Sequence, residues 1–244
     1  MLKAIKTWNK EVFMHTVLRR EEKYLVTLTE AAHFSKIFNQ VLEKDRFSQN
    51  GSYTVRSLYF DTADDIDFFD KINEQEIRRK IRLRIYSPKD KTAKLELKQK
   101  QDVYQKKRSM TISREDAMEL INGNVAVLLK YGNNFADEMY SIMSMNCYRP
   151  KTIVEYQRSA FMAKENNIRI TFDTNIQATE SSFDLFDENL LLYNVLDLNS
   201  TIIEVKYDKF MLGYISEIIS CINRRSVSSS KYCLARSIGY PLYL

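Results

Sequence analysis

Glycine is scarce in this sequence, and its five positions, Gly51, Gly123, Gly132, Gly213 and Gly239, never fall close enough together for a GxGxxG fingerprint or a GxxxxGK phosphate cradle. Two common nucleotide-binding folds are thereby disfavoured. The two histidines, His15 and His33, allow no HExxH motif and no His cluster, and leave little for a serine or cysteine triad. Cys147, Cys221 and Cys233 are odd in number, widely spaced and never in a CxxC pair, so they read as ordinary buried thiols, not a disulfide framework or a zinc site. No run reaches the ~18 apolar residues of a membrane span, and the opening MLKAIKTWNKEVF lacks the apolar block of a signal peptide, which sets the expectation of a cytoplasmic protein. With three prolines and 44% hydrophobic residues, the composition points to one globular domain over residues 1–244 and away from disorder. Any chemistry falls to carboxylates, lysines and arginines.

Charge is what the sequence has, and it is segregated. The net charge is +5, yet Glu76 to Arg114 holds fourteen basic residues against four acids, while Asp173 to Ser200 holds six acids and no base. A solvated face and a nucleic-acid patch are the ordinary explanations of such a segment. Its periodicity argues for a strand: Arg78, Lys80, Arg82 and Arg84 alternate with Ile77, Arg79, Ile81, Leu83 and Ile85. In the next segment Lys94, Glu96, Lys98 and Lys100 share one face against Leu95 and Leu97, and Tyr104, Lys106 and Arg108 continue the theme, which leaves Lys107 and Arg79 outside. Like charges opposed on neighbouring strands repel, so an aligned cationic face needs an anion to fill it.

Further strands follow at Arg19–Thr27, Ser57–Thr62, Thr152–Phe161, Ile168–Thr174 and Thr201–Tyr207, about eight in all. Amphipathic helices are expected over Glu30–Glu43, capped by Thr27 or Thr29, after Ser113, over Phe135–Met145, and over Met211–Ile222, the last as a core helix closing one side. The absence of a βαβ rhythm gives an α+β fold, a closed antiparallel β-barrel of about eight strands with flanking helices. Tyr59, Tyr86, Tyr104 and Tyr156 read as packing residues.

The ordered series RREEKYLVT, SLYFDT, RRKIRLRIY, KLELKQK, QKKR, EYQRSAF, IRITFDT, IIEVKYD and SSKYCLAR resembles the VTC domain, the polyphosphate polymerase domain of the vacuolar transporter chaperone family. That family lies within the CYTH-like triphosphate tunnel metalloenzymes. The resemblance implies a basic tunnel with Lys23 on the first strand, Arg82 and Arg84 as the RxR pair, Lys98 on the ExK strand, Lys106 and Arg108 on the next, then Arg158, Arg169 and Lys231. Glu204 matches the metal-binding glutamate, with Lys206 on its face. Arg19 stands where the wider superfamily has the first glutamate of ExExK, which favours the VTC branch. Ser228 stands where the yeast-type domain has a second lysine.

The activity so implied is a metal-dependent ATP:polyphosphate phosphotransferase, with Mn2+ or Mg2+ on Glu204. Arg82, Arg84, Lys98, Arg158 and Lys206 are then the catalytic set, and Lys23, Lys80, Lys106, Arg108, Arg169 and Lys231 bind substrate. The implied partners are ATP, inorganic polyphosphate and a membrane protein that exports product. Nucleic acid is not expected, because the Arg78–Arg84 face carries no interleaved aromatics. A tripolyphosphatase or nucleoside triphosphatase of the same tunnel, and a non-catalytic polyphosphate sensor, are the alternatives. Oligomeric state stays open.

Overall fold

The computed structural model describes residues 19–101, 104–222, 226–228 and 230–237. Strand β1 (Arg19–Thr27) runs directly into helix α1 (Leu28–Val41) through a capping box: the Glu30 amide donates to Thr27 Oγ1 at 3.2 Å, and the Thr27 amide donates to Glu30 Oε2 at 2.7 Å. There follow β2 (Glu43–Lys44), β3 (Tyr53–Asp61), α2 (Ile66–Ile72), β4 (Ile77–Ile85), β5 (Thr92–Gln101) and β6 (Tyr104–Ser113). Helix α3 (Arg114–Ile121) is capped by Ser113 and α4 (Asn134–Met145) by Asn133. The chain then returns to strand in β7 (Arg149–Met162), β8 (Arg169–Thr179), β9 (Tyr193–Asn194) and β10 (Ser200–Asp208), and ends in α5 (Gly213–Ser220) and α6 (Lys231–Arg236).

All pairings are antiparallel, in the order β1-β10-β8-β7-β3-β4-β5-β6, with β2 added to β7 and β9 to β8. The fold is the expected antiparallel α+β one with flanking helices, and its sheet is not closed by hydrogen bonds: among the described residues β6 and β1 form no ladder. The ends of the sheet are tied by side chains instead, Lys98 of β5 donating to Glu21 of β1 at 2.9 Å.

The alternating residues divide the sheet into an apolar outer face and a charged inner one. On one outer flank Ile81, Leu83, Leu95, Leu97, Met110 and Ile112 pack with Leu120 of α3 and Met139 and Met143 of α4. On the other, Phe34 and Phe38 of α1 and Ile215 and Ile219 of α5 cover Phe161, Phe172, Ile203 and Val205. These helices exclude water from the outside of the sheet and leave its polar side to enclose a channel. Helix α6 is different: its Tyr232 and Cys233 pack with Val55, Tyr59, Tyr156 and Ile202, on the inner face. Cys147 and Cys221 are exposed and only Cys233 is buried, contrary to the expectation of three buried thiols. Among the described residues no helix is long and apolar enough to cross a membrane.

Candidate functional site

Cross-strand register fixes which side chains share the lumen. Going round the sheet, Glu21 pairs with Lys206 and Lys23 with Glu204; Glu204 pairs with Thr171, Lys206 with Arg169 and Ile202 with Asp173; Asp173 then pairs with Arg158. From the other side Tyr59 pairs with Arg82 and Ser57 with Arg84, Arg82 with Glu96, and Lys80 with Lys98. Directly opposed residues in an antiparallel sheet point to the same face, so all of these line one interior. Of the expected site residues, Lys23, Lys80, Arg82, Arg84, Lys98, Arg158, Arg169, Glu204 and Lys206 come together there.

Lys106 and Arg108 do not. Lys98 pairs with Lys107 and Leu97 with Arg108, so Lys107 faces the lumen and its neighbours face out. Lys107 Nζ lies 2.6 Å from Glu96, while Arg108 bonds Glu138 of α4 and lies over the Phe135 ring at 5.3 Å. The signal was present in the sequence: Met110 and Ile112 share the phase of Lys106 and Arg108, and both belong to the outer core. Arg79 pairs with Gln99 on the opposite face of β4 and lies 3.6 Å from the buried Asp67, although it also borders the cavity beside Arg78 and Lys80.

Three groups of carboxylates organise the cations, and three of their members, Glu21, Glu96 and Asp173, are absent from the expected set. Glu96 receives Arg82 at 2.7 Å and Lys107 at 2.6 Å, with Arg84 at 3.8 Å. Asp173 receives a bidentate Arg158 at 2.6 and 2.7 Å, and Lys231, carried in by α6, at 2.6 Å. Glu204 has Lys206 at 3.2 Å, Arg158 at 3.7 Å and Lys23 at 3.9 Å, and Lys23 also reaches Glu21 at 3.1 Å. Burial alone would raise these acids, but Lys206 and Lys23 hold Glu204 well below the usual carboxylate range, and Arg158 and Lys231 hold Asp173 down to about 2.

Cations still outnumber these anions, and the surplus shows at Lys80. Its Nζ donates to Ser230 Oγ at 2.6 Å and, among the described residues, makes no carboxylate contact within 4 Å. Enclosure pushes it down to about 7, an effect that Cys233 opposes and that Lys23, Lys98 and Lys71 each reinforce. Lys206, desolvated but helped by Glu204 and Glu21, is pushed down to about 8. Both retain partial exposure because they face the lumen.

Two cavities flank this lining. One cavity, of about 160 Å³, is lined by Arg78, Arg79, Lys80, Lys98 and Lys100 of β4 and β5, with Glu21, Lys23, Lys71, Val227, Ser228 and Ser230 around them. The other, of about 750 Å³, is lined by Arg84, Arg158, Arg169, Asp45 and a group of aromatic rings. Strand β4 runs from one to the other, with Arg78 and Lys80 at the first mouth, Arg82 between, and Arg84 and Tyr86 at the second. At ~3.3 Å per residue that path is about 26 Å. Arginine supplies planar bidentate contacts to phosphate oxygens and lysine a mobile point charge, so this lining can grip a linear phosphate and let it slide.

Glu204 and Glu21 also suit a divalent cation of the Mg2+ or Mn2+ kind. Both are anionic oxygen donors, and such ions commonly use one or two carboxylates and complete their shell with phosphate oxygens and water. No group of three His, Cys, Asp or Glu residues poised to hold a metal occurs among the described residues, so substrate oxygens would have to finish the shell.

No curated protein sequence matches the chain. Solved structures share its fold at low identity. A candidate adenylyl cyclase from Hippeastrum with a dominant triphosphatase activity is 12% identical, with 89% of this chain and 94% of that one covered and a TM-score of 0.53. A candidate adenylate cyclase from Bacillus halodurans is 13% identical, with 88% and 94% covered and a TM-score of 0.49. The family model of the VTC domain matches residues 18–240, nearly the whole length, and the chain belongs to that family.

Proposed function

We propose that the protein is a polyphosphate polymerase that transfers the γ-phosphoryl group of ATP to a growing inorganic polyphosphate chain inside the channel. One observation carries the reading: an inner face whose cations exceed its carboxylates, with a cavity at either end of β4 and with Lys80 enclosed and, among the described residues, without a carboxylate within 4 Å. A linear polyanion is the ligand that would balance it.

In the reaction, a terminal oxygen of the acceptor chain attacks the γ-phosphorus, the bond to the β–γ bridging oxygen breaks, and ADP leaves. Arg82 and Arg84 hold the equatorial oxygens of the transferring group, and Arg158 and Lys206 stabilise charge on the leaving side. Lys98 and Lys80 orient the acceptor, with Lys23, Arg169 and Lys231 as further phosphate contacts. A divalent cation, Mn2+ or Mg2+, bound by Glu204 beside Glu21 would supply charge neutralisation across the phosphate oxygens. Phosphoryl transfer depends chiefly on positioning and electrostatics, so no covalent nucleophile is needed.

The triphosphatase activity of the Hippeastrum neighbour supports a second reading, in which water replaces the acceptor. One assay separates the two: purified protein with ATP, Mn2+ or Mg2+ and a short polyphosphate primer, read on a gel for chain length and in solution for orthophosphate. Long polymer is expected, abolished in Arg82→Ala and kept in Arg79→Ala. Glu204→Gln preserves size but loses the charge a hard cation requires, so it should bind triphosphate without turnover. Orthophosphate alone would make the protein a hydrolase, and tight binding without either product would make it a sensor.

A further inference from the structure

The wide mouth carries a feature that phosphate binding does not explain. Phe47, Tyr53 and Tyr86 form a cluster, with Phe47 and Tyr86 nearly parallel at 6.3 Å between centroids and Tyr53 at 5.9 and 6.1 Å from them. Tyr86 was expected to be a packing residue, yet it is 42% exposed and Phe47 58% exposed. Rings left this open contribute little to the core. They are nonetheless held in place. Asp45 Oδ1 accepts from the Phe47 amide at 3.1 Å, and Asp45 Oδ2 accepts from Arg169 at 2.7 Å. Arg169 also donates to the Tyr53 hydroxyl at 3.0 Å. Arg46 lies over Phe47 at 4.5 Å and Lys94 over Tyr86 at 5.7 Å.

The same cavity that exposes these rings is lined by Arg84, Arg158 and Arg169. A ligand with a flat ring at one end and a polyanion at the other matches this sequence of surfaces. We propose that Phe47, Tyr53 and Tyr86 form a nucleobase subsite, and that a nucleoside triphosphate enters by this mouth with its base on the rings and its phosphates leading inward. The narrow mouth, lined by Lys80, Lys98 and Lys100 and without an aromatic among its described lining residues, suits phosphate alone. Stacking reads the π-face and not the base edges, so adenine and guanine nucleotides are taken alike. The inference rests on the channel accepting linear phosphates.

The test is calorimetric binding of ATP, GTP and tripolyphosphate, with EDTA to prevent turnover, to the wild type and to Phe47→Leu and Tyr86→Leu. Because base–aromatic stacking is worth ~1–3 kcal/mol, each leucine variant should bind ATP and GTP about 5- to 150-fold more weakly. Tripolyphosphate affinity should change less than about twofold, a control that also shows the variants are folded. Equal losses for all three ligands, or no loss for any, would overturn the subsite and leave the channel intact. Binding of none of them to the wild type would overturn both. An oligothymidylate that displaces tripolyphosphate as well as ATP does, and needs the same rings, would reassign the cluster to single-stranded nucleic acid.

Discussion

Lys80 concentrates the problem that the lumen poses at the scale of one side chain. Enclosure pulls it down to about 7 from an ordinary 10.5, so between those limits the unfolded chain holds the extra proton and stability of the ligand-free protein climbs as pH rises. A bound polyphosphate reverses the balance, because it favours the charged amine. Tripolyphosphate affinity should therefore weaken between about pH 7 and 9, with Lys206 acting in the same direction, and binding near pH 8 should take up protons beyond the ligand's own titration. Calorimetry in buffers of different ionisation enthalpy reads this directly; a pH-independent affinity without proton uptake would show that Lys80 is not at the phosphate. Most of the lumen was legible at this scale. Arg82, Arg84, Lys98 and Glu204 follow from alternation and the family resemblance, whereas Lys106-Lys107-Arg108 offers three cations in a row and only the apolar phase of Met110 and Ile112 selects the inner one. Asp173 and Glu21 were hidden for a different reason: a buried carboxylate is recognisable only through the cations that surround it, and Arg158 and Lys231 meet Asp173 from distant parts of the chain.

Among the elements, α6 links the end of the chain to the lumen. It brings Lys231 to Asp173 and Ser230 to Lys80, and it is anchored by Tyr232, whose hydroxyl donates to the buried Asp61 at 2.6 Å, and by Arg236, which reaches Asp65 at 2.6 Å. Asp61 in turn accepts from the amides of Asp67 and Phe68 at 2.9 Å each, so the SLYFDT motif serves to start α2 and to seat α6. Tyr232→Phe removes one donor from a buried carboxylate, which typically costs ~1–3 kcal/mol. We expect a denaturation midpoint lowered accordingly, together with weaker tripolyphosphate binding, because Lys231 rides on the same helix. Unchanged stability and affinity would mean that α6 is seated by ring packing alone. Neither α2 nor α6 was legible in the sequence: at seven and six residues, each is too short to show a helical period. Longer helices were clear, and Thr27 and Ser113 cap where the pattern places them, although α5 is shorter than the apolar run that announces it.

For the whole molecule, the alternation of apolar and charged residues in each strand becomes a sheet with α1, α3, α4 and α5 outside and ions and α6 within. Barrel closure was not legible, because periodicity reports which face a residue takes and not whether the first and last strands meet. The proposed function requires this inner face to be an enclosed channel for linear phosphates and not a basic surface patch. A ligand that binds only the folded state raises its stability by mass action. Binding to an exposed patch would fade steeply with salt and would treat nucleic acid and polyphosphate alike. Thermal unfolding with tripolyphosphate, ATP and a single-stranded oligonucleotide, each at low and high salt, separates the two. The account predicts an upward shift that persists in high salt and is confined to tripolyphosphate and ATP; equal shifts with the oligonucleotide, all lost in high salt, would contradict it.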